Sequence, residues 1–427
     1  MICCGLEHSA RSAIKPNWTP PSYDRIDTPT PMSPDCGTQN IRLSILPPAR
    51  SNTLIPLKRT GRPALRGTAA IVGGSPRGVV LSATYEARAR GVRSGMSSTE
   101  ARRLAPRSTF VVPDFDSYTA VSKAIVAVFR SVTSVVESAS IDEAFLDLTG
   151  AVRMFGSPTQ IGEYVRAVVA DEQQITCSVG IGPTKFVAKV ASRAAKPDGL
   201  IEVPPEGVAS FLHPLPVEAM WGVGQATAQK LHRLGIYTVG DLAHTPRGSL
   251  RPTFGPHAGG MLSELAWGRD FRRVTPQEPE HSVGSQETFR RDTDDPDTVR
   301  RELLRMADRT AHRMRKQQMA GRTVTISVRF ADFTELTRSA TLPSPTDVTV
   351  EIYAQALELY ERLGVESARI RRVGVRVEQL VDRHRVYRQP QLTDPEKGWR
   401  EADLAMDAAV GKFGPAAVQR AVLTRRW

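Results

Sequence analysis

The chain has 427 residues, of which 40% are hydrophobic, enough for several cores and for two to four domains at roughly 100–200 residues each. Lys and Arg number 57 against 45 Asp and Glu, leaving +12 at pH 7 and a pI near 9.8; spread along the chain, this excess suits nucleic acid ahead of a membrane surface. No apolar run reaches the ~18 residues of a membrane span, the N-terminus lacks a signal peptide's apolar stretch, and Cys3, Cys4, Cys36 and Cys177 form no C-x-x-C pair, which argues against a zinc site or disulfide framework and for a reducing cytoplasm.

Residues 1–56 differ from the rest. Pro, Ser and Thr crowd the stretch from Lys15 to Pro34 without a sustained period, the composition of a disordered tail. A short strand is expected at Ile41–Leu46, and order begins near Pro63. Strands follow at Ala69–Val72, ended by Gly73-Gly74, and at Val79–Ala83. Helices are expected at Tyr85–Arg90 and Ser98–Leu104, with Ser98 as the cap of the second. Val121, Ile125, Val128 and Phe129 give Tyr118–Val132 a helical period. Next comes Ser140–Leu148, an apolar, strand-like run that carries adjacent carboxylates, Asp142 and Glu143. Acids in such surroundings are usually paired or metal-bound; an edge strand with its acids in water satisfies the same pattern. A helix at Ile161–Val169, a strand at Cys177–Ile181 and a basic helix at Thr184–Ala195 complete this part. Helices on one face of a mainly antiparallel sheet account for the order.

Leu215–Ala243 reads as a compact helical unit. Gly222-Val223-Gly224 stands between two short helices, where glycine lets backbone N–H groups approach a phosphate. With Leu215-Pro216 to Trp221 before it and Lys230-Leu231 to Ile236 after it, the segment is similar to a helix-hairpin-helix that grips the DNA backbone; a plain helix-to-helix turn is the alternative. Trp221 is assigned to the core of this unit. A polar linker then leads to a second α+β unit, with strands at Ser282–Phe289, Val324–Phe330 and Val373–Val377 and helices at Pro296–Gln317 and Asp347–Leu363. A polar tail follows, with an amphipathic helix expected at Trp399–Phe413.

Three stretches stand in one order: Tyr85-Glu86-Ala87-Arg88 with Gly91–Met96 behind it, Ser140–Phe145, and Ser178-Val179-Gly180-Ile181-Gly182 followed by Lys185, Lys189 and Ala195–Gly199. With the helical hairpin behind them, the chain resembles the Y-family translesion DNA polymerases of the DinB type over roughly Pro63–Leu380. The resemblance implies an α+β, multidomain right hand with fingers (57–114), palm (115–203), helical thumb (204–272), linker (273–282) and little finger (283–380), before a polar tail (381–427). It implies a monomeric cytoplasmic enzyme that transfers nucleotides from dNTP to a primer 3′-OH on damaged template DNA, with two Mg²⁺ ions. Asp142 and Glu143 match the family's metal-binding pair, Glu143 being the catalytic glutamate. Tyr85, Arg88 and Lys196 match its triphosphate-binding residues, and Gly222 and Gly224 its DNA-binding hairpin. Asp147 matches no role and reads as a solvated strand-end acid. Gln389-Pro390-Gln391-Leu392-Thr393-Asp394 lies where many members carry a sliding-clamp peptide but lacks the trailing hydrophobic pair.

The chemistry fits those residue types. Phosphoryl transfer needs positioning and charge neutralisation more than covalent help. Two ions about 3.5–4 Å apart can hold the attacking and leaving oxygens, and magnesium prefers a few carboxylates plus substrate oxygens. The chain departs from the family at its start, where an apolar strand should end in Asp-x-Asp followed by bulky residues. The first Asp binds metal, and a bulky residue excludes ribonucleotides. Counting back from Pro63–Gly67 puts that Asp near Ala49, yet Ile45–Ile55 holds neither acid nor aromatic, and Asp24, Asp27 and Asp35 lie in the wrong surroundings. Two explanations stand: an N-terminus read in a shifted frame or from a wrong start, with a normal polymerase behind it, or an impaired relative that serves lesion bypass by binding DNA. Severe loss of activity is expected for the chain as written.

Overall fold

A computed structural model describes residues 42–46, 67–74, 77–276, 280–365, 368–387, 398–414 and 417–424. The chain divides into two units, Met1–Gln277 and Glu278–Trp427. In the first, the strands are β1 (Arg42–Leu46), β2 (Ala70–Val72), β3 (Ser82–Ala83), β4 (Thr109–Val111), β5 (Val136–Ser140), β6 (Glu143–Asp147), β7 (Ser178–Gly182) and β8 (Leu200–Glu202). Apart from the single turn Val152–Phe155, its α-helices are α1 (Tyr85–Ala89), α2 (Ser98–Leu104), α3 (Phe115–Val132), α4 (Pro158–Gln173) and α5 (Lys185–Ala194), then α6 (Val208–Leu212), α7 (Gln225–Arg233), α8 (Val239–His244) and α9 (Arg247–Ala266).

Strand alternation builds the central sheet, ordered β5-β6-β1-β7-β8 and antiparallel except between β7 and β8. Ala144 and Leu146 of β6, with Val179 and Ile181 of β7, bury into a core with Phe129 of α3 and Ile161 and Val165 of α4. The intervening residues face the other way, where α5 lies. Gly180 makes this possible: a Cβ there would stand 2.1 Å from both the Ala188 carbonyl oxygen and the Ser192 nitrogen. Helices therefore cover both faces of the sheet, not one. The short strand expected at Ile41–Leu46 forms as β1. It lies inside the sheet, so the N-terminal segment set apart as 1–56 contributes an interior strand of the central sheet.

A smaller sheet, β3-β2-β4, has Ile71, Val80, Ala87, Val92 and Ala101 in its core. The strand expected at Val79–Ala83 shortens to β3, and Val79 makes only an isolated bridge to Ser97. Ser97, not Ser98, caps α2: its side chain accepts from the Glu100 N–H at 3.1 Å, while Ser98 is buried in the first turn. The helical segment after β8 packs Leu212, Val217, Leu231, Leu242 and Leu250 against Phe186 and Val187 of α5. Its last helix, α9, breaks at Gly255, where φ is 78°.

The second unit runs β9 (Ser282–Thr293), α10 (Pro296–Lys316), β10 (Met319–Phe330), β11 (Glu335–Thr346), α11 (Thr349–Glu361), β12 (Ile370–Asp382) and α12 (Trp399–Phe413). Its sheet is ordered β11-β10-β12-β9 and every pair is antiparallel. β11 was not expected, because polar residues occupy most of it and both of its ends. The polar tail expected from 381 is instead partly built into the fold. β12 runs to Asp382, and α12, where its helix was expected, docks through charge. Arg315 donates to Asp403 Oδ2 at 3.1 Å and to Asp407 Oδ2 at 2.6 Å, and Arg400 to Asp347 Oδ2 at 2.9 Å. Arg420 bonds both Asp403 and Asp308. Arg315, Asp347 and Asp403 are buried, so composition alone read as solvent-exposed what is an internal ionic network. The clamp-like stretch around Gln391 lies outside the described residues. Among the described residues no helix is long and apolar enough to cross a membrane.

Candidate active site

Ser140–Leu148 is not one strand. It breaks at Ile141-Asp142 into a hairpin, and the β5–β6 register shifts between Ser138 and Ser140. Asp142 stands in the turn, where the Ser140 hydroxyl donates to its Oδ1 at 2.5 Å. Glu143 opens β6. Both are half-buried. The edge-strand reading with water-facing acids therefore fails for Glu143. Alternation turns it to the α5 side of the sheet with Phe145, and there its Oε2 accepts from Lys189 Nζ at 2.7 Å. Asp147, half-buried at the strand end, accepts from the Thr149 N–H and hydroxyl, a local turn contact.

Lys189 also reaches the helical segment beyond β8, its Nζ lying 4.7 Å from the Trp221 ring centroid. The Arg272 guanidinium lies 4.4 Å from the same ring. Trp221 packs on Phe145 with centroids 5.6 Å apart, which fits a core residue. One helical turn before Lys189, Lys185 Nζ meets Glu137 Oε1 at 2.5 Å and lies 4.9 Å from the Phe145 centroid. The other Glu137 oxygen accepts from the Thr275 N–H at 2.8 Å. Sequence reasoning missed Glu137. The available signal was the spacing of Lys185 and Lys189 by four residues, which puts two cations on one helix face.

Tyr85 and Arg88 sit three residues apart on α1, whose N-cap Thr84 accepts from Ala87 N–H. Arg88 donates from Nε to the Ala83 carbonyl at 3.0 Å and from Nη2 to Ser94 Oγ at 3.4 Å, so the end of β3 and the turn after α1 orient its guanidinium. Lys196 is half-buried just past the end of α5, ahead of a cis Lys196–Pro197 bond. Arg166 holds the turn that follows, bonding both the Asp198 carbonyl and its carboxylate. Ahead of α7, Gly222 takes φ 98°, a conformation glycine tolerates, and Gly224 is the N-cap of that helix. A Cβ at either would meet nothing within 4 Å, so their backbones face open space.

Asp142 and Glu143 are adjacent carboxylates, a donor set suited to one oxygen-seeking divalent ion. A two-ion centre needs more. Among the described residues no group of three or more His, Cys, Asp or Glu side chains is arranged to hold a metal. Residues 36–85 contain no Asp or Glu at all. β1 ends beside the start of β6, with Ile45 paired to Ala144, and the sequence continues Pro47-Pro48-Ala49. The described residues do not bring together a two-ion set.

Three family models match the chain: the impB/mucB/samB family over residues 53–193, the IMS family HHH motif over 205–236, and the impB/mucB/samB family C-terminal domain over 280–392. The chain is 40% identical to DNA polymerase IV of Desulfatibacillum aliphaticivorans over 364 residues, 84% of this chain and 92% of that protein. It is 45% identical to DNA polymerase IV 2 of Mesorhizobium japonicum over 287 residues, 67% of this chain and 68% of the relative. The Y-family DNA polymerase chimera Dbh-Dpo4(243-245)-Dbh superposes with a TM-score of 0.72 at 25% identity, over 80% of this chain and 99% of the chimera.

Proposed function

Because the chain belongs to the impB/mucB/samB family and is a translesion, Y-family DNA polymerase of the DNA polymerase IV type, we propose that its palm hairpin is where a dNTP joins the primer 3′-OH. The observation that supports this reading is the pair Asp142 and Glu143 at one hairpin, with Glu143 turned to the face of the sheet that carries α5. In this reading Tyr85, Arg88 and Lys196 hold the triphosphate, and Gly222 and Gly224 bring thumb backbone to a phosphodiester of the primer-template. Mg²⁺, held by Asp142 and Glu143, supplies charge neutralisation when bound. Lys189 fixes the Glu143 carboxylate by a charge-assisted hydrogen bond, so that its direction is set before substrate arrives. The enzyme acts as a cytoplasmic monomer, and the stretch around Gln391 gives it at most a weak sliding-clamp contact.

The missing third carboxylate bears on rate more than on binding. Positioning groups for DNA and dNTP are present, while charge developing at the reacting oxygens is incompletely neutralised. The chain as written is expected to bind primer-template and to extend it poorly. A second reading, a DNA-binding accessory of lesion bypass, is favoured by the same absence. Mg²⁺-dependent extension of a labelled primer, run beside binding of the same duplex, separates them. Slow extension that D142N or E143Q lowers by a further factor of about 10² supports the polymerase reading. Binding with no extension supports the accessory, and robust extension by the chain as written removes the claim of impairment. Absence of both activities defeats both readings.

A further inference from the structure

The sheet of the second unit has two unlike faces. Val324, Ile326 and Val328 of β10 and Val373, Val375 and Val377 of β12 are buried in the core with α10 and α11. Alternation sends Ser327 and Arg329, and Arg372 and Gly374, to the opposite face. There a shallow hollow of about 420 Å³ opens over Gln286, Ser327 and Gly374. Gly374 keeps its floor low, since a Cβ would stand 2.8 Å from Ser327 Oγ and 3.1 Å from Gln286 Cβ.

Along this face a row of charge crosses three strands. Glu335 of β11 pairs with Arg329 of β10, and Arg329 pairs with Arg372 of β12. The Glu335 Oε2 accepts from Arg329 Nε at 3.1 Å and Nη2 at 2.5 Å, and its Oε1 accepts from Arg372 Nη2 at 2.5 Å. One carboxylate thus joins two guanidinium groups that would repel each other at adjacent register positions. It does not satisfy them fully: Arg372 Nε is buried with no hydrogen-bond partner. The hydrogen bond from Arg329 first, then that from Arg372, holds Glu335 below the usual carboxylate range, so it is charged at neutral pH.

A guanidinium fork takes carboxylate and phosphate alike in bidentate geometry. We propose that Glu335 is an internal stand-in for a backbone phosphate: in the free protein it holds Arg329 and Arg372 in place on the sheet, and a nucleic-acid strand crossing this face displaces it. The inference rests on the polymerase reading for its ligand, a phosphodiester chain. It assigns Glu335 a positioning role that also limits affinity, since each binding event must break the existing pairs. Two cations offset by one anion also present less net charge to the strand than their number suggests.

The test is binding of a labelled primer-template to the full chain, wild type and E335Q, across a salt series. The glutamine keeps the shape and removes the charge. E335Q is expected to bind about 3–10-fold tighter near physiological salt, with a slope of log K against log salt steeper by about one. E358Q makes the same change in net charge on α11, where Glu358 bonds Gln355 and Arg362, and is expected to change neither quantity. The double variant R329Q/R372Q is expected to bind about 10-fold more weakly and to abolish the gain from adding E335Q. E335Q equal to wild type, or E335Q and E358Q shifted alike, overturns the proposal while DNA binding stands. Failure of every protein, wild type included, to bind the duplex overturns the polymerase reading beneath it.

Discussion

Glu143 is held by two things that act at different ranges. Strand parity turns it toward α5, and Lys189, 46 residues away in sequence, supplies the cation. Side-chain exposures of 15% for Lys189 and 25% for Glu143 leave the carboxylate without full access to water if the ammonium is removed. K189M is therefore expected to destabilise the first unit by about 1–3 kcal/mol, read from urea unfolding. E143Q/K189M should cost less than the sum of the single changes, because the lone charge is gone; strict additivity would mean that the two groups do not interact. The acidic pair itself was legible in the sequence, since carboxylates in an apolar run are conspicuous. Glu137 was not. It is a single acid in a short strand, and what marks it, a 2.5 Å contact with Lys185, forms only when α5 packs across the sheet.

Elements were legible where pattern and burial agree. The helix at Trp399–Phe413 and the strand of Ser178–Gly182 fall within a residue or so of expectation, whereas β11 escaped because Glu335–Thr346 alternates weakly and is mostly exposed. The side of the sheet that α5 takes was not legible, because it depends on a close approach at Gly180 rather than on periodicity. G180A tests that approach. The methyl would meet backbone atoms of Ala188 and Ser192 at 2.1 Å, and backbone cannot step aside as a flexible side chain can. A loss of about 3 kcal/mol or more in the stability of the first unit is expected by thermal or urea unfolding; a loss below about 1 kcal/mol would show that α5 shifts freely. The docking of α12 is tested by pH. Burial alone would raise the Asp407 carboxyl, but hydrogen bonds from Arg315 and His312 outweigh it and hold the group below its ordinary value. A lowered folded-state value gives stability that is present above the ordinary aspartate range and lost as pH falls through the folded value. D407N should therefore be less stable than wild type near neutral pH, with a difference that narrows below about pH 4. A difference constant down to about pH 3 would remove Asp407 from the docking network.

At the scale of the whole molecule, the order of units was legible because four motifs follow one another in the chain, and each fixes a local backbone shape that sequence can signal. The fate of residues 381–427 was not, because buried Arg315, Asp347 and Asp403 look in composition like any solvated charge. The net charge of +12 is likewise uninformative about where DNA is gripped. The thumb hairpin offers a direct test, and Gly224 is a better probe than Gly222. Gly222 needs φ 98°, so any side chain there brings backbone strain along with lost contact. Gly224 has φ −86° and ψ 176°, an extended conformation that any residue adopts, and its Cβ would meet nothing within 4 Å. G224V is thus expected to cost about 1 kcal/mol or less in stability, through the poorer N-cap of α7, while its side chain stands where a phosphate would approach the first N–H groups of α7. Loss of one phosphate contact should weaken binding of primer-templates of any sequence alike and make the slope of log K against log salt shallower by about one. Sequence-dependent weakening would point to base contacts instead. Unchanged affinity with unchanged slope would mean that the thumb hairpin is a plain turn and that the grip on DNA lies elsewhere in the chain.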